Sequence, residues 1–158
     1  VGDNVRKHPD FYKMILDRGH HVGNHTFNHI QGIKTLSHRY LKNTELASEY
    51  IDSKLFRPPH GHMRIPQFYI LRRKYRIILW DVVTRDYSKL KTPEQVLENV
   101  KKYTRNGSII VFHDSIKAEK NMKWSHKYIS EPTRRTPKSY GVLCLKKNTE
   151  ATRRDTKE

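Results

Sequence analysis

The clearest candidate for chemistry in this sequence is the segment Asn-His-Thr-Phe-Asn-His at residues 24–29. Its two histidines, His25 and His29, stand four residues apart. On a helix, side chains at this spacing share a face, so both imidazoles can reach one ion. Neutral imidazole is a common ligand for zinc. Because the chain contains ten histidines, the pair alone fits two surface histidines as well as a metal site.

Three later segments carry groups that could act on a substrate: Arg-Pro-Pro-His-Gly at residues 57–61, Asp-Tyr at 86–87 and His-Asp at 113–114. A fixed cation such as Arg57 orients a nearby carboxylate and favours its charged form. His113 can transfer a proton as a general acid, and a carboxylate such as Asp86 stabilises a protonated imidazole. The simpler alternatives are a surface arginine and acidic residues that cap loops.

The apolar pattern predicts short strands alternating with helices. Helices are predicted to begin near Pro9, Ser37, Ile65 and Pro93, each followed by apolar residues three or four apart. Strands are predicted at residues 1–2, 20–23, 55–57, 76–83, 108–112 and 140–145. This alternation indicates an α/β fold with a mostly parallel sheet or barrel. The polar segments follow predicted strands, where α/β folds place their chemistry.

Length and composition limit the remaining possibilities. A chain of 158 residues is one domain at most. The net charge of +16 raises the possibility of nucleic-acid binding, but the charge is spread along the chain and fits a solvated basic surface. The single cysteine, Cys144, excludes an intramolecular disulfide and leaves the compartment open. No apolar run has the length of a membrane span. Residues 123–158 form an atypical basic C-terminal segment that we expect to be partly disordered.

Taken in order, these segments resemble the polysaccharide deacetylases, the NodB homology domain of carbohydrate esterase family 4. The resemblance covers residues 1–122 and implies a (β/α) barrel-like fold. The family's first motif, a Thr-Phe-Asp-Asp segment that supplies the catalytic base and the third metal ligand, has no match in this sequence. We therefore expect an N-terminally truncated domain, a distorted TIM-like barrel that lacks its first strand.

The resemblance also implies a role for each polar residue. His25 and His29 would bind a divalent metal, zinc being the first choice, without the third protein ligand. The implied catalytic residues are His113, Asp86 and Arg57. The implied substrate-binding residues are His60, Tyr87, Val111 and Thr26. Two of these depart from the family pattern, since the family usually has Tyr at His60 and commonly Trp at Tyr87.

The function implied is metal-dependent removal of acetyl groups from a carbohydrate polymer of the N-acetylglucosamine type, such as peptidoglycan or chitin oligomers. We expect impaired activity in this chain, a monomeric state, and no specific nucleic acid partner. Intact relatives are often extracytoplasmic. One alternative is a non-catalytic carbohydrate-binding remnant. A second is a basic nucleic-acid-binding protein, although the sequence has neither Cys-based zinc-finger spacing nor an aromatic RNA-binding signature.

Overall fold

The computed structural model describes residues 1–113, 117–121, 123 and 141–142. The chain divides into two compact units, Val1–Leu79 and Trp80–Glu158. Helices and short parallel strands alternate along both, which confirms the predicted α/β class. Within the described residues, no helix combines the length and the apolar character needed to cross a membrane.

The first unit consists of helices around a small parallel pair of strands. In chain order its elements are α1 (Gly2–Lys7), α2 (Pro9–Asp17), α3 (Ser37–Ser48), β1 (Leu55–Phe56), α4 (Ile65–Leu71) and β2 (Arg76–Ile77). Strands β1 and β2 run parallel, with Phe56 opposite Ile77. The core consists of Tyr40, Phe56, Leu71 and Tyr75. Burying a large apolar side chain of this kind contributes about 1.5–3 kcal/mol.

The second unit is built on a three-stranded parallel sheet. Its elements are β3 (Val82–Val83), α5 (Pro93–Tyr103), β4 (Ile109–Val111) and β5 (Gly141–Val142), with β4 in the centre of the sheet. A core of Val82, Val100, Ile110 and Phe112 joins α5 to the sheet. The side chains at the carboxyl ends of β3 and β4 are therefore neighbours, as expected for parallel strands.

Local signals in the sequence account for the helix ends. Helix α5 begins as predicted, because the Thr92 hydroxyl accepts the N–H of Gln95 and the Gln95 side chain accepts the N–H of Thr92. Helix α2 begins at Pro9 and ends before Gly19, whose φ of +77° terminates it.

Two strand predictions near the N-terminus are wrong. Residues 1–2 were expected to be a strand, but Gly2 opens helix α1. Residues 20–23 form no strand, and the described residues show an isolated parallel bridge just beyond them, between Asn24 and Phe56. The apolar residues at both places are too few to specify an element locally, so contacts with the rest of the unit decide their structure.

The predicted strand over residues 76–83 is interrupted. Strand β2 ends at Ile77 and β3 begins at Val82, in a different sheet. Between them, the carbonyls of Ile78 and Leu79 accept hydrogen bonds from the Arg57 guanidinium, while the N–H of Ile78 still donates to the carbonyl of Phe56 at 2.8 Å. In the C-terminal region, β5 lies inside the strand predicted for residues 140–145. Residues 124–140 and 143–158 fall outside the described residues, as do the disorder predicted there and its boundary.

Candidate active site

The segment that carries the two histidines, residues 24–29, is a loop and not a helix. Thr26 and His29 have backbone φ values of +61° and +57°, in the left-handed region that β-branched residues rarely adopt. The prediction that the two imidazoles share a helical face is therefore wrong. The loop itself brings the rings together, with the centroids of His25 and His29 4.9 Å apart in an edge-to-face arrangement.

Buried Asn24 fixes the beginning of this histidine loop. Its backbone N–H donates to the carbonyl of Leu55 at 2.8 Å, and its side chain donates to the carbonyl of Thr44 at 2.9 Å. Its side-chain oxygen accepts the N–H of Thr26 at 2.9 Å. One side chain thus connects the loop to α3, while its backbone connects the loop to β1.

Asn43, on helix α3, fixes the middle of the loop. Its side-chain oxygen accepts the backbone N–H groups of Phe27 and Asn28, both at 3.0 Å, and its Nδ2 donates to Oδ1 of Asn28 at 2.7 Å. Sequence reasoning missed this role. The available signal was asparagine inside a helix, where the residue is unfavourable and often has a specific partner.

His25 is held in the form that binds a metal. Its Nδ1 lies 2.6 Å from the carbonyl oxygen of Arg57. Because a carbonyl only accepts, Nδ1 carries the proton and Nε2 keeps its lone pair. A hydrogen bond from Nδ1 to a backbone carbonyl is the usual support of a metal-binding histidine. Burial lowers the pKa of His25 to about 3, so the ring is neutral at physiological pH.

Arg57, whose carbonyl binds His25, is itself held by the residues that follow β2. Its side chain is buried, and it donates from Nε to the carbonyl of Ile78 at 3.2 Å and from Nη2 to that of Leu79 at 3.0 Å. Burial also lowers the pKa of the guanidinium. Backbone carbonyls therefore hold the guanidinium of Arg57, while its own carbonyl holds the ring of His25. Its catalytic role stays a prediction.

A third imidazole, that of His60, lies next to His29. His60 lies in the turn Pro59–Gly61 with a φ of +59°, and its ring centroid is 5.0 Å from that of His29. Within the described residues, however, no three side chains of His, Cys, Asp or Glu are arranged to hold a metal ion. His25 and His29 supply two imidazoles of the kind that zinc accepts, but their predicted role as metal ligands is not tested. The predicted contact of His60 with substrate is not tested.

Thr26 sits between the two histidines with its side chain fully buried. Its hydroxyl has no hydrogen-bond partner among the described residues. A left-handed backbone at a β-branched residue costs about 1–3 kcal/mol and persists only where surrounding contacts impose it, as Asn24 and Asn43 do here. Such strain is concentrated at functional loops. The expected contact of Thr26 with substrate stays a prediction.

A second pair of catalytic type, Asp86 and His113, lies in the second unit. The Asp86 carboxylate is fully buried. Its Oδ2 accepts the backbone N–H of His113 at 2.7 Å, and its Oδ1 lies 2.7 Å from Nδ1 of the same residue. The carboxylate therefore assigns the proton to Nδ1 and orients the ring. This is the partnership that the sequence predicted for a general acid, although proton transfer itself is not tested.

Two polar residues that sequence reasoning missed position Asp86. Asn121 is buried and donates to the carbonyls of Asp86 and Lys91 at 2.9 and 3.2 Å. Thr84 is fully buried, and its hydroxyl donates to the carbonyl of Val111 at 2.9 Å. The same hydroxyl accepts the N–H of Asp86 at 3.4 Å, so Thr84 connects the turn after β3 to β4, while Asn121, later in the sequence than β4, also holds that turn.

The other two predicted substrate contacts also lie in the second unit. The ring of Tyr87 packs edge-to-face on that of His113, with centroids 4.6 Å apart, and 44% of Tyr87 is exposed. Val111 is buried at the end of β4, paired with Val83. The position of Tyr87 next to His113 is that of a residue able to meet substrate. The contact of Val111 with an acetyl methyl group is not tested.

Sequence comparisons with known proteins point to polysaccharide deacetylases. The family model for polysaccharide deacetylases matches residues 1–74. A peptidoglycan-N-acetylglucosamine deacetylase of Bacillus cereus is 30% identical over 123 residues, which cover 72% of this chain and 57% of that protein. Chitin deacetylase 2 of Saccharomyces cerevisiae is 29% identical over 128 residues, covering 73% and 41% respectively. The chain thus spans about half the length of these curated relatives.

Solved structures share the fold. A peptidoglycan N-acetylglucosamine deacetylase superposes with a TM-score of 0.73 at 24% identity, covering 92% of this chain and 70% of that one. A CE4 family pseudoenzyme from Bacillus anthracis superposes with a TM-score of 0.63 at 25% identity, covering 91% and 51%. Residues 1–74 therefore carry sequence of the polysaccharide deacetylase family, and the chain is similar in sequence and fold to the NodB homology domain of carbohydrate esterase family 4.

Proposed function

We propose that this domain is a metal-dependent hydrolase that removes acetyl groups from a polymer of the N-acetylglucosamine type. The observation that carries the proposal is the contact between Nδ1 of His25 and the carbonyl of Arg57. It leaves a neutral imidazole with an uncommitted Nε2 lone pair beside a second histidine, and it joins His25 directly to the buried residue Arg57. Relatives named as peptidoglycan and chitin deacetylases support the substrate class.

His25 and His29 would hold the metal, and imidazole ligands favour zinc among the common divalent ions. When bound, such an ion polarises the acetyl carbonyl and lowers the pKa of a bound water. The fixed loop matters because catalytic geometry must be held closely. Asn24 and Asn43 supply that rigidity through the contacts they make with the loop backbone.

His113 would serve as the general acid. With Nδ1–H bound by Asp86, the proton that the ring can give to a leaving amine is at Nε2. The buried carboxylate also fixes the direction in which the ring presents Nε2. Tyr87, packed against the ring, restricts its rotation. General acid catalysis of this kind contributes about 10²–10⁴-fold in rate.

The base and third metal ligand have no counterpart in the sequence, so we propose that the 158-residue chain alone hydrolyses acetyl groups slowly. A second candidate, a carbohydrate-binding domain without turnover, is favoured by the lack of a three-ligand cluster among the described residues. One similar structure is described as a CE4 family pseudoenzyme.

Acetate release from N-acetylated chito-oligosaccharides tests the proposal. The chain would be assayed with zinc or cobalt, alone and extended at its N-terminus by a strand carrying the Thr-Phe-Asp-Asp motif. We expect the extended chain to gain at least about 10²-fold in rate, and to lose the gain on His113→Gln. An extended chain that binds the oligosaccharide and zinc but releases no acetate would support the carbohydrate-binding alternative instead.

A further inference from the structure

A cavity of about 320 Å³ opens beside the histidine loop, entirely within the first unit. Its volume is in the range of about 300–1,000 Å³ typical of small-molecule sites. The residues that line it are Asn28, Ile30, Lys34, Thr35, Leu36, Arg39 and Asn43. They include two cations, two amides and three residues with apolar or methyl groups, and none of the seven is acidic.

One wall of this cavity, the loop at residues 31–36, is fixed from beneath by Gln67. The Gln67 side chain is fully buried, and its Nε2 donates to the carbonyls of Gly32 and Thr35 at 3.0 and 3.2 Å. Arg64 adds a hydrogen bond from Nε to the carbonyl of Ile33 at 3.0 Å. The backbone on both sides of Lys34 is therefore fixed by hydrogen bonds from α4 and its N-terminal flank.

Close packing at Gly32 shows how tightly this wall is specified. A Cβ at that position would lie 2.7 Å from Oε1 of Gln67, 2.8 Å from Cα of Met63 and 2.9 Å from the carbonyl oxygen of His62. Only glycine fits there without displacing backbone.

The polar groups on the cavity lining are available to a ligand. Neither Lys34 nor Arg39 forms an ion pair with a described carboxylate. Oδ1 of Asn28 is occupied by Asn43, but the Asn28 amide N–H groups make no hydrogen bond within the described residues. Lys34, Arg39 and the Asn28 amide thus offer cations and donors, which complement an anion, and the Thr35 hydroxyl on the same lining can donate as well as accept.

We propose that this cavity is a subsite for an acidic sugar residue of the polymer. The proposal rests on the proposed function, because Asn28 immediately precedes the metal ligand His29 and a polymer presented there would place a neighbouring sugar in the cavity. Lys34 and Arg39 bind its carboxylate or phosphate, and the Asn28 amide donates to its oxygens. The apolar surfaces of Ile30 and Leu36 pack against the sugar ring.

Binding of three matched sugars to the metal-free 158-residue chain tests this assignment by calorimetry. N-acetylmuramic acid carries a carboxylate, N-acetylglucosamine 6-phosphate carries a phosphate, and N-acetylglucosamine is neutral. We expect at least one acidic sugar to bind about tenfold or more tightly than the neutral sugar, which corresponds to one charge-assisted hydrogen bond. The acidic sugar preferred identifies the anion. Equal binding of all three would overturn the proposal.

Single substitutions test whether the preference for acidic sugars arises in this cavity. Lys34→Ala and Arg39→Ala should each weaken acidic-sugar binding about tenfold and leave the neutral sugar unaffected. Lys42→Ala is the matched control, because Lys42 is an exposed cation on the same helix that does not line this cavity. An equal loss in Lys42→Ala would show general electrostatic attraction and contradict a defined subsite.

The binding test is independent of catalysis. Because it uses no metal and no acetate readout, acidic-sugar binding that persists in His25→Gln supports the subsite even if the deacetylase proposal fails. Conversely, acetate release from a neutral oligomer without any preference for acidic sugars would support the proposed function and overturn the subsite.

Discussion

The carboxylate of Asp86 contacts His113 twice, with Oδ2 at 2.7 Å from the backbone nitrogen and Oδ1 at 2.7 Å from Nδ1 of the ring. Both contacts are to N–H groups, so each carboxylate oxygen acts as an acceptor. The Asp86 side chain is fully buried, which strengthens these charge-assisted bonds. The orientation and the tautomer of His113 therefore depend on one side chain.

Asp86→Asn should reverse the tautomer of His113. The backbone N–H of His113 will take the amide oxygen, which leaves the amide N–H₂ facing Nδ1 and forces the proton to Nε2. We expect this reversal in the ¹⁵N chemical shifts of the ring, with a loss of about 1–3 kcal/mol in the free energy of unfolding. In the extended, motif-bearing chain the variant should also slow acetate release.

The control for this variant is Asp81→Asn. Oδ2 of Asp81 accepts the N–H of Ile109 at 2.9 Å on an exposed edge, and an asparagine oxygen preserves that bond. Asp81→Asn should lower the free energy of unfolding by no more than about 0.5 kcal/mol. Wild-type ring shifts in Asp86→Asn would contradict the assigned role of the carboxylate.

Asn24→Ala should destabilise the first unit. The change removes the hydrogen bonds to Thr44 and Thr26 at a fully buried position and leaves a void. We expect the free energy of unfolding in urea to fall by about 2–4 kcal/mol. Asn106→Ala, at an exposed turn, should change it by no more than about 0.5 kcal/mol. Equal stabilities of the two variants would mean that Asn24 does not anchor the loop.

Gly32→Ala should be costly for a steric reason alone. The added Cβ would approach two backbone atoms and the Gln67 side-chain oxygen at less than 3.0 Å, and overpacking of this kind costs about 1–3 kcal/mol. At Gly23 the nearest atoms, both of Leu55, lie 3.3 Å away, so Gly23→Ala should cost less. Thermal unfolding of both variants makes the comparison. A Gly32→Ala variant as stable as wild type would show that the loop wall is not rigid.

The parts of the fold that the sequence predicted well are those with local determinants. Helix α5 could be predicted to begin at Pro93, because Thr92 and Gln95 form its cap within a few residues. Strand β4 follows from a short continuous apolar run. The partnership of Asp86 and His113 joins residues 27 positions apart, and it was predicted from the resemblance of the ordered motifs to a known family.

What the sequence could not predict depends on contacts between distant residues. The left-handed backbone at Thr26 and His29 is imposed by Asn24 and by Asn43, which lies 14 or more residues further along the chain. Between β2 and β3, the carbonyls of Ile78 and Leu79 likewise bind the side chain of Arg57, more than 20 residues earlier. Local propensity carries no information about such partners.

Zinc titration of the 158-residue chain, followed through the ring nitrogens of individual histidines by NMR, tests the central claim most directly. We expect the first equivalent of zinc to change the ¹⁵N chemical shifts of Nε2 in His25 and His29. Nδ1 of His25 should remain protonated and bound to the Arg57 carbonyl. The exposed pair His20 and His21 should be unaffected at that stage, and His25→Gln should abolish the first binding step. Zinc that binds first at His20 and His21, or that displaces the proton from Nδ1 of His25, would contradict the proposal that His25 and His29 bind the metal.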